Sequence, residues 1–193
     1  TAPSRITSHS STSALVGNSR SEMTIEDFEG PNPGKWAIPD WAKEKADHVA
    51  KEIDVTKEFA SKGAQSLRMT VQFPGERWTA GVIEMEENLD LTGRSTLAVD
   101  IYLPVNSPEG LKGNIVCTFG DNWTWAEQIK QVPLTPGQWT TVAADIADGS
   151  TDWKKVRVDS EFRRDIRKLD IRIISDKKPA YNGNVYIDNV RAY

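Results

Sequence analysis

This 193-residue sequence is poor in the residue types and patterns that would give it away: it has one cysteine, two histidines and no long apolar run. A lone Cys117 closes no intrachain disulfide and builds no cysteine-based zinc site. Within NIVCTF it alternates with Ile115 and Phe119, the place of a small core residue. His9 sits among serines and His48 among charges, and no HExxH, GxSxG, Cys/His pairing or P-loop occurs. No apolar run approaches the roughly 18–20 residues that a membrane span needs. The net charge is −4 with both signs interspersed, which speaks against nucleic acid and against an anionic membrane as partners. The sequence begins at Thr1 with neither a methionine nor an apolar leader. That fits a removed signal peptide or a piece cut from a longer protein, with a secreted or cell-surface setting expected.

Alternation is what the chain has in place of motifs. In RSTLAVDIYL, Leu97, Val99, Ile101 and Leu103 point one way and Ala98, Asp100 and Tyr102 the other, the period of a strand with one face in a core. Leu67, Met69, Val71 and Phe73 repeat the pattern. Between Arg77 and Asn88, Ile83 and Met85 face one side while Trp78, Ala80, Val82, Glu84 and Glu86 face the other. Further strands are expected from Met23, at 49–55 (where a helix competes), 114–119, 123–132, 138–146, 169–173 and 185–193, with a short helix as an option around Val158, Phe162 and Ile166. Short strands parted by Gly, Pro and Asn turns predict an all-β fold, a β-sandwich jelly roll of two antiparallel sheets. Residues 1–22 are Ser/Thr-rich and aperiodic, a flexible linker or tail, which leaves 23–193 as the domain.

Seven tryptophans need a use. Sugars present flat C–H faces ringed by hydroxyls, so a sugar site pairs exposed aromatic platforms with polar side chains, and tryptophan is the largest platform available. Trp123 and Trp125 share a strand face by their spacing, and Asn122, Glu127 and Gln128 beside them are polar; the competing expectation is that one of the two is core. Trp78 shares its face with Glu84 and Glu86, and Trp36 and Trp41 flank Ile38-Pro39-Asp40 in a loop able to wall the same groove. The expected ligand contacts are therefore Trp78, Trp123, Trp125, Trp36, Trp41, Glu84, Glu86, Asn122 and Gln128. Catalysis has no support: with 28 acidic residues, some carboxylate pair will always lie near the roughly 5–10 Å that glycosidases use. A second acidic group, Asp27 and Glu29 near the start with Asp188 near the end, offers hard oxygen ligands of the kind calcium takes if the terminal strands pair.

Several stretches resemble jelly-roll carbohydrate-binding modules: EDFEG at 26–30, KGAQSLRM at 62–69, LAVDIYLP at 97–104, PGQWTTV at 136–142 and VYIDNVRAY at 185–193. DIYLPVNSPEGLKG and the closing YIDNVRAY look most like the family-27, mannan-binding modules attached to bacterial β-mannanases. The resemblance implies a jelly roll, a structural calcium, no catalysis, bacterial origin, and tryptophans gripping internal stretches of mannan. It implies binding tryptophans at Trp78, at Trp123 or Trp125, and at Trp36 or Trp41. The early loop and STDWKKVRVDSEFRRD depart from the family pattern. The expected function is a non-catalytic module binding a soluble β-linked polysaccharide, mannan or glucomannan first and β-glucan second, tethered to a larger enzyme or surface protein. The alternatives are a structural or protein-interaction sandwich and, behind it, a polysaccharide-active enzyme on the same fold.

Overall fold

The computed structural model describes residues 22–193, so the tail expected at 1–22 lies, Glu22 apart, outside the described residues. Twelve strands and two short helices follow in the order β1 Met23–Glu26, β2 Trp36–Ala37, α1 Asp40–Lys43, β3 Ala50–Thr56, β4 Ser66–Phe73, β5 Trp78–Leu89, β6 Thr96–Tyr102 and β7 Lys112–Phe119. β8 Thr124–Glu127, β9 Val132–Pro133, β10 Trp139–Asp145, α2 Ser160–Arg164, β11 Ile166–Asp176 and β12 Tyr181–Ala192 complete the chain. One antiparallel sheet runs β10-β6-β12-β4-β3, with β1 beside β12; the other runs β2-β5-β11-β7-β8, with β9 beside β7. The two sheets form the sandwich that the alternation predicts.

The alternating apolar residues meet between the sheets. Leu67, Met69, Val71 and Phe73 of β4 and Leu97, Val99 and Ile101 of β6 face Ile83 and Met85 of β5, Leu169, Ile171 and Ile173 of β11, and Ile115 and Cys117 of β7, all buried. Full burial of each large side chain contributes about 1.5–3 kcal/mol. Two glycines let the sheets close: Gly81 and Gly113 both sit opposite Ile173 in the register. A Cβ at Gly81 would lie 2.9 Å from a Val71 methyl, and one at Gly113 would lie 2.9 Å from Ile101 Cδ1. Side chains there would hold the layers apart.

Three local expectations change. The strand expected over 123–132 is two short ones: β8 ends at Glu127, and β9 begins only at Val132. The 49–55 segment is a strand, not a helix, but a register shift between Ala50 and Glu52 breaks the shared face of Val49, Lys51, Ile53 and Val55 and leaves Lys51 exposed. The final strand starts at Tyr181, inside the stretch expected to be loop, because residues 181–184 pair with β4. Near Phe162 the helix option holds: Asp159 caps α2 by accepting the Phe162 N–H at 3.0 Å.

Candidate functional site: an aromatic groove on the outer face of one sheet

Register alone builds the floor of the site. On the outer face of the β5-β11-β7-β8 sheet, Glu84 lies opposite Asp170, which lies opposite Val116, which lies opposite Glu127. The next rows are Val82–Arg172–Asn114 on one side and Glu86–Lys168–Thr118–Trp125 on the other. Trp78 stands at the far end of β5, opposite Asp176.

The early loop supplies the wall. It is pinned to the edge of β5 twice, by Trp36 and Ala37 against Met85 and Glu84, and by Val49 N–H donating to the Ala80 carbonyl at 2.8 Å. The residues between the pins have more length than the gap needs, so they arch over the sheet as α1. Trp41 packs on Ala80, Val82 and Ile174, and its indole N–H donates to Glu84 Oε2 at 3.2 Å. His48 stands edge-on to Trp41 with ring centres 5.0 Å apart, and 6.3 Å from Trp78; Trp41 is also edge-on to Trp125 at 6.3 Å. These rings, with Lys45 and Arg172, line a cleft of about 470 Å3. A larger opening of about 550 Å3, beside Gly149 and Lys155, presents Trp153, which is 3% exposed and packs on Phe162.

Trp123 and Trp125 are both solvent-facing, 47% and 45% exposed. Trp123 precedes β8 in a turn, with φ +51 and its N–H donating to the Gly120 carbonyl at 3.1 Å. A bulge in β11 between Ile166 and Lys168 brings two successive cations to the Trp123 ring, Arg167 at 5.3 Å and Lys168 at 5.8 Å from its centre. Asn122 is exposed beside it, and Glu86 lies at the groove rim with Lys168 at 3.7 Å.

Two expected contacts do not reach the groove. Trp36 is 2% exposed and packs against Phe28, because its β2 position pairs with inward-facing Met85 and so points into the core. Gln128 is fully buried: its amide accepts the Ile115 N–H at 3.0 Å and donates to the Ala143 carbonyl at 2.9 Å, joining the two sheets.

The groove's charges are arranged unequally. Glu127 accepts from Lys154 at 2.8 Å and Arg172 at 2.6 Å; burial opposes its charge, but these two cations hold its carboxyl below its ordinary value. Arg172 also donates to Asn114 at 3.0 Å. Asp170 is 1% exposed and neither of its oxygens receives a donor, so burial and then neighbouring Glu84 push its carboxyl up to about 9. Sequence reasoning missed Lys168, Asp170 and Arg172, although the alternation that assigns Leu169, Ile171 and Ile173 to the core puts these three on the opposite face. His48 carried no such signal, since its place depends on the loop pins.

The acidic residues expected as cation ligands, Asp27, Glu29 and Asp188, all accept main-chain N–H groups. Asp188 Oδ2 accepts the N–H groups of Ser61 and Lys62 at 2.8 and 3.0 Å, Glu29 Oε1 accepts those of Ala64 and Gln65 at 2.9 Å each, and Asp27 Oδ1 accepts the Glu29 N–H at 3.2 Å. Asp188 and Glu29 thus grip one loop, 61–65, through N–H donors. Among the described residues no three His, Cys, Asp or Glu side chains gather as a metal cage, and Asn189 Oδ1 is a buried oxygen without a partner.

No curated protein matches the sequence. Among solved structures, a Caldicellulosiruptor saccharolyticus CBM27-1 in complex with mannohexaose is 18% identical at TM-score 0.60, over 89% of this chain and 96% of that one. A non-crystalline-cellulose-specific CBM28 is 18% identical at TM-score 0.61, over 89% and 97%. A family 11 module from Clostridium thermocellum in complex with a β-1,3-1,4-mixed-linked tetrasaccharide is 13% identical at TM-score 0.54, over 89% and 94%. At these identities the likeness is one of fold. The family model for carbohydrate binding module 27 matches residues 21–193, and the chain therefore belongs to that non-catalytic, carbohydrate-binding family.

Proposed function

We propose that this module holds an internal stretch of a soluble β-linked polysaccharide, mannan or glucomannan, by stacking sugar rings on Trp78, Trp41 and Trp125, with Trp123 extending the platform. The observation that carries the reading is the meeting of Trp41, Trp78 and Trp125 around one open cleft with Lys45, His48 and Arg172. Flat rings serve the C–H faces of the sugars and the charged groups serve their hydroxyls. The similar family-27 structure was solved with mannohexaose, which favours mannan; the similar CBM28 and family 11 structures make β-glucan the second ligand. Tethering to a secreted bacterial enzyme or surface protein completes the proposal, since a tether raises the local concentration of enzyme at the polymer. Among the described residues no helix is long and apolar enough to cross a membrane.

Native gels containing glucomannan, galactomannan, mixed-linkage glucan or no polymer test the reading. Wild type is expected to be retarded by the mannans, and Trp78→Ala or Trp125→Ala each to weaken binding by about 2 kcal/mol, roughly 30-fold, the range of a binding hot spot. Retardation by glucan alone would discard mannan, and retardation by none would point to the protein-interaction alternative. Calcium is proposed separately, from the family resemblance, at the loop that Asp188 and Glu29 share. A higher melting temperature when calcium is added to chelator-treated protein would support it, and an unchanged one would remove it.

A further inference from the structure

The buried carboxyl of Asp170 has no role in sugar stacking, yet it lies in the groove floor directly across from Glu84. Asp170 receives no N–H or O–H donor on either oxygen and is 1% exposed. Glu84 spends both oxygens: Oε2 accepts the Trp41 indole N–H at 3.2 Å, and Oε1 lies 3.5 Å from the Lys168 ammonium. We propose that a proton held by Asp170 and shared with Glu84 positions Trp41 in the groove, so that polysaccharide binding is sound at neutral pH and fails in alkaline solution. This rests on the groove being the polysaccharide site.

Two carboxylates side by side in a dry floor cannot both be charged at small cost. With one proton present, Asp170 donates an O–H to Glu84, and a charge-assisted bond replaces repulsion. Glu84 is thereby fixed to receive Trp41, whose ring closes over Val82 and Ile174. The surrounding charges do not remove the need for the proton. From β5 the neighbours are Glu84 and the rim residue Glu86. On β11 they are Lys168, shared between those two glutamates, and Arg172, engaged by Asn114 and Glu127. β7 offers only neutral Asn114, Val116 and Thr118, and Glu127 of β8 is paired with Lys154. The overhanging loop brings Lys43, paired with Asp40, Lys45 over the Trp41 ring, and His48 bonded to Asp47. Burial and Glu84 together push Asp170 up to about 9, so the proton is present at pH 7 and leaves above that value. Loss of the proton places a second negative charge beside Glu84 and frees the indole.

The test compares wild type with Asp170→Asn, which keeps an N–H donor and cannot ionise. Calorimetric titration with mannohexaose between pH 6 and 10.5 should show wild-type affinity falling about tenfold across pH 8–10. The affinity of Asp170→Asn should stay level across the range. A ligand-free readout accompanies it: the Trp41 indole N–H resonance, assigned through Trp41→Phe, should titrate with a midpoint near pH 9 in wild type and not in Asp170→Asn. If Asp170→Asn does not fold, Glu84→Gln serves instead, and that indole titration should vanish from the alkaline range. An alkaline loss of affinity that persists in Asp170→Asn, or a wild-type indole signal indifferent to pH, overturns the proposal. Failure of wild type to bind mannohexaose at any pH would overturn the proposed function, while the indole titration would still decide the shared proton.

Discussion

Asp100 and Asp170 occupy matching places and end in opposite states. Each sits on an inner strand of its sheet, each points outward from the core, and each is nearly inaccessible. Asp100 accepts from Thr141 and Ser61 at 2.8 Å, Arg191 at 3.0 Å and Asn189 at 3.1 Å. Burial works against its charge, but these donors win, and its carboxyl is held below the ordinary value. Asp170 is buried more deeply and has no donor, so burial and then neighbouring Glu84 hold its carboxyl well above. The lesson is that a full set of donors outweighs burial in setting a carboxylate's charge, and that without donors burial prevails.

The outer faces of the two sheets differ in the same sense. On the Asp100 face Phe59, Tyr102, Tyr186 and Trp139 pack on one another, with ring centres 4.4–5.4 Å apart between successive contacts Phe59–Tyr102 and Tyr102–Trp139. Those rings spend their surface on each other. On the Asp170 face Trp41 and Trp125 meet edge-on, and Trp78 is reached through His48, which leaves ring faces and a cleft between them. A closed aromatic cluster supports the fold, whereas a spaced one offers room to a ligand.

The sharpest break of the comparison removes a carboxylate from the satisfied side. Asp100→Ala would strand Arg191, whose guanidinium is mostly buried against it, and breaking such a pair costs about 3–5 kcal/mol. For a domain of this size that corresponds to a fall in melting temperature of roughly 10 °C, read by calorimetry at pH 7. Asp170→Asn should instead leave the melting temperature at pH 7 equal or raised. The sign follows from the raised carboxyl: its folded value lies above the unfolded one of about 4, so its stabilising proton is fully effective below about pH 4 and stability declines as pH rises toward 9. An amide removes that decline.

A smaller effect separates the two aromatic sets. Trp139→Ala deletes a ring packed against Tyr102 and should lower the melting temperature by about 3–6 °C, for a loss near 1.5 kcal/mol. Its affinity for glucomannan in native gels should remain within about twofold of wild type. Trp41→Ala should do the reverse, with a roughly tenfold loss of affinity and a small change in melting. If Trp139→Ala abolishes retardation, the distinction between packed and spaced rings is wrong.

How much of this was legible follows from the range of each cause. Alternation is local, so β4, β5 and β6 and the exposure of Trp125 were readable from neighbours in the chain. The outward placement of Trp41 and the inward one of Trp36 were not, because a two-residue strand and a one-turn helix carry no period; pairing with Met85 and Ala80 on β5 decides both. Gln128 follows two exposed tryptophans in sequence, but it has the parity of buried Ala126, so alternation turns it away from them. Its true partners, Ile115 and Ala143, are set by how the sheets face each other. That Asp170 shares a face with Arg172 was readable, but that it stands opposite Glu84 was not, since register between distant strands is a tertiary fact.

The finest test trims a single donor from Asp100. Ser61 Oγ donates to Asp100 Oδ2 at 2.8 Å and also lies 3.3 Å from Asp188 Oδ2, which keeps its main-chain donors from Ser61 and Lys62 when the hydroxyl is removed. Ser61→Ala should therefore cost only about 1 kcal/mol at pH 7, the usual worth of one hydrogen bond, and lower the melting temperature by about 2–4 °C. Its acid behaviour identifies the cause. The depressed carboxyl of Asp100 contributes stability above its unfolded value of about 4 and loses it as pH falls through the lower folded value. Removing a donor raises the folded value, so the difference between Ser61→Ala and wild type should be full at pH 7 and shrink below pH 4 as both carboxyls are protonated. A difference that stays constant down to pH 2 would mean that the serine acts by packing rather than by holding the Asp100 charge.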